Sequence, residues 1–152
     1  MMLIRVAWDH PDAVALRDAM VAEVASLYSE ERAAANRDGS MGVDPESVFA
    51  TVLVYAGETP VAHAALRRLD GELEMKRMYV PPSHRGSGLA ACLLLEMERL
   101  AREDGAKRLI LHTGTRQEAA IALYKRHGYI EIEVYPPYVG VPDSLCFQKI
   151  LN

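Results

Sequence analysis

Arg85-Gly86-Ser87-Gly88 stands directly after Tyr79-Val80-Pro81-Pro82-Ser83-His84 and directly before the apolar run Leu89-Ala90-Ala91-Cys92-Leu93-Leu94. Two glycines this close to a helix start are entropically costly unless the backbone there must approach something. The natural partner is a phosphate, because the first turn of a helix offers unpaired N–H groups and the positive end of its dipole. The chemistry these residue types support is the holding of a phosphorylated ligand against backbone amides.

Two well-known phosphate loops fit badly. Gly86-Ser87-Gly88-Leu89-Ala90-Ala91 satisfies G-x-G-x-x-A, but that fingerprint wants its glycines straight after a nearly uncharged strand and an acid about 20 positions on. Here Glu72, Glu74, Lys76 and Arg77 lie in the preceding run, five residues from Pro81 to Arg85 intervene, and the next run ends in Leu111-His112-Thr113 with no acid. A Walker loop fails too, because no Gly-Lys-Ser/Thr follows.

The elements that must position this loop can be read from spacing. Residues 2–8 read as a short strand, and Val14, Leu16, Met20, Val24 and Leu27 recur at helical spacing within 11–35, as one long helix or two short ones. Residues 36–47 collect turn formers and read as a candidate binding loop. Three runs between 48 and 80, the last two joined by Asp70-Gly71, read as an antiparallel meander. Past the glycines, Leu89, Ala90, Leu93, Met97 and Leu100 make a helical stripe, 108–114 is an apolar strand, and a helix from 116 is stopped by Gly128. Residues 129–135 alternate as a strand, 136–143 form a loop, and 144–151 make the last strand. The order predicts a mixed α/β sheet with a strand–helix–strand crossover over 72–113.

Composition narrows the class of protein. At 152 residues, 50% apolar and 25% charged, the chain reads as one domain with a real core. A net charge of −4 argues against a nucleic-acid binder. No apolar run approaches the ~18 residues that span a bilayer, and no signal-peptide pattern opens the chain, so no membrane association and a cytoplasmic location are expected. Cys92 and Cys146 read as two buried thiols, and the five histidines show no ligand spacing, so no metal is expected.

Arg85-Gly86-Ser87-Gly88-Leu89-Ala90 resembles the R/Q-x-x-G-x-G/A motif of the GNAT superfamily of acyl-CoA N-acyltransferases. Ala120-Ile121-Ala122-Leu123-Tyr124-Lys125-Arg126-His127-Gly128-Tyr129 resembles its second signature, A-x-x-L-Y-x-x-x-G-F/Y. The resemblance extends over essentially the whole chain. It implies a single N-acetyltransferase domain, 1–152, built on a mostly antiparallel sheet of about seven strands flanked by helices. It also implies acetyl-CoA as cosubstrate, with the pyrophosphate on Arg85, Gly86, Ser87, Gly88, Leu89 and Ala90, and the pantetheine arm along the backbone of Met78, Tyr79 and Val80. Pro81 and Pro82 cannot continue a ladder, so the strand is expected to splay there. Relatives often carry Asn where this chain has Gln117, a position that contacts coenzyme A.

Acetyl transfer to an amine needs a base for the amine, donors for the oxyanion and a proton for the thiolate. The resemblance places Tyr124 beside the thioester sulfur as the proton donor; a core tyrosine is the alternative. Glu74 shares a strand face with Lys76 and Met78 and is the candidate base; an ion pair with Lys76 is the alternative. Oxyanion donors are expected from the backbone near Met78 and Tyr79. Tyr28, Asp38, Asp44, Glu46, Tyr135 and Tyr138 fall in the segments expected to bind the acceptor, a primary amine on a small molecule. A coenzyme-A-binding module without transferase activity is the alternative function. The family often dimerises, which leaves a homodimer open.

Overall fold

The computed structural model describes residues 1–31 and 42–152. Its strands are β1 (Met2–Val6), β2 (Val48–Ala56), β3 (Thr59–Leu69), β4 (Glu72–Tyr79), β5 (Arg108–Gly114), β6 (Ile130–Ile132) and β7 (Ser144–Ile150). They form one sheet in the order β1-β2-β3-β4-β5-β7-β6. Every neighbouring pair is antiparallel except β4–β5, which is parallel. The described helices are α1 (Pro11–Ala25), α2 (Leu89–Glu103) and α3 (Glu118–Arg126). The expected mixed, mostly antiparallel sheet is therefore present, with α2 as the crossover between β4 and β5.

β2 and β3 read as near-continuous apolar runs because helices cover both faces of the sheet. On one face Leu93, Leu94, Met97 and Ala101 of α2 pack against Val52, Val54, Ala62, Ala64 and Leu66. On the other, Ala13 and Leu16 of α1 pack against Leu53 and Tyr79. α1 starts at Pro11, and the His10 ring accepts a hydrogen bond from the Asp12 amide at 3.1 Å.

Four expectations need correction. The buried stripe of α1 is Ala13, Leu16 and Arg17, while Val14 and Leu27 are exposed; Met20, Val24 and Leu27 are apolar because they wall a cavity. The strand expected over 129–135 stops at Ile132, because Tyr135 is drawn off the sheet to bond Glu74. Cys92 is exposed, on the solvent side of α2, whereas Cys146 is buried. Finally, the sheet forks well before Pro81: the β4–β5 pairing ends at Met75↔Leu111. The expected loop at 36–47 lies outside the described residues as far as 41, Asp38 included.

Candidate active site

The fork has a local cause. The type of turn at Asp70-Gly71, both with positive φ (49° and 83°), sets a register in which Arg67 faces Glu74 and Ala65 faces Lys76. The next pair is His63↔Tyr79, so one residue on β3 opposes two on β4, a bulge carried by Arg77 at φ 59°. The Arg77 carbonyl accepts from His63 Nδ1 at 2.8 Å. His63 Nε2 meets Arg17 Nη1 at 3.0 Å, and Arg17 Nη2 donates to the Trp8 carbonyl at 2.6 Å. Since Arg17 only donates, Nε2 accepts and Nδ1 carries the proton. Burial pulls the His63 pKa down to about 4, so this ring is neutral at physiological pH.

Beyond the bulge, β4 borders a cavity of about 570 Å³. Its floor is Met78, Tyr79 and Val80; one wall is Met20, Glu23, Val24 and Leu27 of the α1 region; the other is Gln117, Ala120 and Leu123 of the α3 region. Gly86, Gly88, Leu89 and Ala90 close one end, with Arg85, Arg116 and Arg126 nearby. That volume lies within the ~300–1,000 Å³ of small-molecule sites.

The glycine loop is built as an open cradle. Gly86 and Gly88 have φ of 81° and 83°, and no atom lies within 4 Å of a Cβ built at either, so dihedral freedom rather than crowding selects glycine. Gly88 is the N-cap of α2 and supplies no side-chain cap. Among the described residues, the amides of residues 86–91 meet no acceptor. Ser87 does not line the cavity; its hydroxyl donates to the His84 carbonyl at 2.6 Å and tightens the loop. Arg85 turns back, donating to the Val80 carbonyl at 2.8 Å and to Glu23 at 2.6 Å. Glu23 also accepts from Tyr79 Oη at 3.1 Å, so it clamps loop, strand and helix together.

Gln117 lines the cavity, yet its Oε1 already accepts from Tyr28 Oη at 3.1 Å and the Gly114 amide at 3.0 Å. Tyr28 approaches so closely that a Cβ at Gly114 would lie 1.9 Å from its hydroxyl oxygen. Tyr124 is not among the lining residues, although Ala120 and Leu123 beside it are. Its ring packs near Tyr129 and Phe147, and among the described residues its hydroxyl makes no hydrogen bond. Burial pushes its pKa up, which keeps the phenol protonated.

Glu74 also lies off the cavity, inside a polar cluster on the α1 face of the sheet. It is 0% exposed and accepts from Arg67 Nε at 2.8 Å, Tyr135 Oη at 2.5 Å and Tyr138 Oη at 3.2 Å. Its ion-pair partner is Arg67 across the hairpin, not Lys76. Lys76 Nζ donates to Tyr138 Oη at 2.7 Å, and burial pulls its pKa down to about 8. Tyr138 stacks on His112, with ring centroids 3.8 Å apart. Asp44 caps its own turn by accepting from the Glu46 amide at 3.0 Å. Arg67, Lys76 and Glu23 were not singled out as site residues; only Arg67 had a readable signal, its position opposite Glu74 in a two-residue hairpin. Among the described residues, no three His, Cys, Asp or Glu side chains could together hold a metal ion.

Cradle, fork and sheet order together define a family. The profile of the acetyltransferase (GNAT) family matches residues 13–129, and the chain belongs to that family. It is similar over 99% of its length to a Klebsiella pneumoniae protein described as a candidate acyl-CoA N-acyltransferase, at 30% identity, with 97% of that chain covered and a TM-score of 0.82. The fold is shared with the PaiA N-acetyltransferase of Thermoplasma acidophilum, crystallised with coenzyme A, at 16% identity, 99% coverage of both chains and a TM-score of 0.72. An IAA acetyltransferase of Azospirillum brasilense is 40% identical over 78 residues, 51% of each chain. The match thus spans about half the length of that relative. Among the described residues no helix is long and apolar enough to cross a membrane.

Proposed function

We propose that this chain transfers an acetyl group directly from acetyl-CoA to a primary amine on a small molecule. The observation that carries the reading is the run of unfilled amides at 86–91 opening into the cavity over the forked strand. These amides and the α2 dipole bind the pyrophosphate, with Arg85, Gly86, Ser87, Gly88, Leu89 and Ala90 forming the cradle. The backbone edge at Met78, Tyr79 and Val80, left unpaired by β5, receives the pantetheine amides, and Gln117 narrows the opposite wall.

In this reading the amine nitrogen attacks the thioester carbonyl carbon, the C–N bond forms and the oxygen becomes an oxyanion held by backbone donors near Met78. The ammonium proton leaves through the Tyr135 hydroxyl to Glu74, the only carboxylate on that cluster among the described residues. Collapse breaks the C–S bond, and the Tyr124 hydroxyl protonates the departing thiolate. Burial raises the Tyr124 pKa, so the phenol carries its proton at neutral pH.

Thermal unfolding with acetyl-CoA, with NAD as control, tests the cosubstrate, and thiol release on adding amines tests the transfer. Acetyl-CoA at 100 times its dissociation constant should stabilise the fold by ~2.7 kcal/mol, a shift of several degrees. A shift with NAD instead, or with neither, overturns the reading. A shift without thiol release across amines leaves a coenzyme-A-binding module in its place.

A further inference from the structure

Thr51, Ala65 and Lys76 stand directly opposite one another on β2, β3 and β4, so their side chains share one face of the sheet. It is the α1 face, since Leu53 and His63 two residues along lie on that side. Lys76 is 7% exposed, and its ammonium has one partner among the described residues, the Tyr138 hydroxyl. That oxygen is saturated: it accepts from Arg67 Nη2 at 2.9 Å and from Lys76, and donates to Glu74. Glu74 already accepts three hydrogen bonds on its two oxygens. Thr51 is 1% exposed, and among the described residues its hydroxyl has no hydrogen-bond partner.

Among the described residues Arg67, Lys76 and the nearby Arg77 bring positive charge to this cluster, and Glu74 brings negative charge. What remains unspent among the described residues is a pair of Lys76 protons and the Thr51 hydroxyl, on the two strands that flank Ala65. Buried donors left without acceptors, next to a surplus positive charge, are costly in an empty site and suit a bound anion. Lys76 is the first residue past the last β4–β5 pair and lies two positions before Met78 on the cavity floor, on the other side of the Arg77 bulge.

Resting on the acetyltransferase reading above, we propose that Lys76 and Thr51 form a subsite for a carboxylate carried by the acceptor. The acceptor class is then the amino acids and short ω-amino acids, held by the carboxylate while the amine faces the thioester.

The test is a set of matched pairs: 4-aminobutyrate against propylamine, β-alanine against ethylamine, and L-amino acids against their amides. Each is scored by kcat/KM for thiol release and, independently of turnover, by thermal shift. The wild-type protein should prefer the carboxylate-bearing member by about tenfold or more, the usual worth of a charge-assisted hydrogen bond. Lys76→Met should abolish that preference, and Thr51→Val should weaken it severalfold; a retained acetyl-CoA thermal shift shows that each variant is folded. Should Lys76→Met not fold, Thr51→Val decides. Equal use or binding of the paired compounds by the wild type, or an undiminished preference in the folded variants, overturns the subsite while leaving acetyl transfer standing. Absence of any acetyl-CoA shift in the wild type overturns both.

Discussion

At the scale of single residues, two positions with opposite demands share the proposed chemistry. Tyr124 must stay protonated, and burial ensures it; Tyr124→Phe keeps the packing against Tyr129 and Phe147 while deleting the donor. Turnover should fall by about 10²-fold or more with little change in thermal stability, and an unchanged turnover number, with chemistry limiting, would dismiss the role. Gly88 answers to geometry alone: its φ of 83° strains any other residue, yet no protein atom would meet its Cβ. Gly88→Val should therefore cost about 1–3 kcal/mol in denaturant unfolding and weaken acetyl-CoA binding beyond what stability predicts. Titration calorimetry showing unchanged affinity would remove the loop from the cosubstrate site. Gly88 at the start of α2 and Tyr124 within α3 were legible as positions in the fold, because motif and spacing are local. The partner of Glu74 was half legible: a turn at 70–71 forces residues 67 and 74 to face each other, as they do. What no spacing reveals is that Tyr135 and Tyr138, more than sixty residues away, return to saturate the carboxylate.

At the scale of elements, the bulge in β4 organises the site. Proline chemistry suggested a splay at Pro81, but the strand leaves β5 at Lys76, because Arg77 takes a left-handed backbone and hands its carbonyl to His63. No propensity scale flags an arginine for that role; the tertiary contact selects it. The lock predicts acid sensitivity. His63 has a folded pKa of about 4 against an ordinary 6.5. Between those values the unfolded chain binds a proton that the folded chain refuses, so stability is complete above pH 6.5 and falls as the pH drops toward 4. The loss from this group is about 3 kcal/mol. Urea unfolding at pH 7 and pH 4.5 should show it in the wild-type protein and far less in His63→Gln. Equal pH dependence in the two proteins would assign the acid sensitivity elsewhere.

At the scale of the molecule, the cavity draws its walls from the 20s, the 80s and the segment 116–126, which meet only around it. The sequence order of elements was enough to foresee the sheet, since each helix and strand announces itself locally. The cavity was not foreseeable in detail, because Met20, Val24 and Leu27 look like core positions and turn out to line its wall. A ligand filling it ties three separated segments together. Hydrogen exchange should then slow in residues 20–27 and 116–123 as well as in the glycine loop when acetyl-CoA is added. Slowing confined to 86–91 would mean that the ligand touches the loop without entering the cleft.

The two cysteines close this account from the outside. Cys92 lies exposed in the first turn of α2, while Cys146 is buried with its thiol pKa pushed up to about 11. A maleimide at neutral pH should therefore mark the native protein once, at Cys92, and twice only after denaturation. The chain thus carries a single natural attachment point for a fluorophore, four residues past Gly88, where the dye's environment must change whenever a phosphate settles into the cradle.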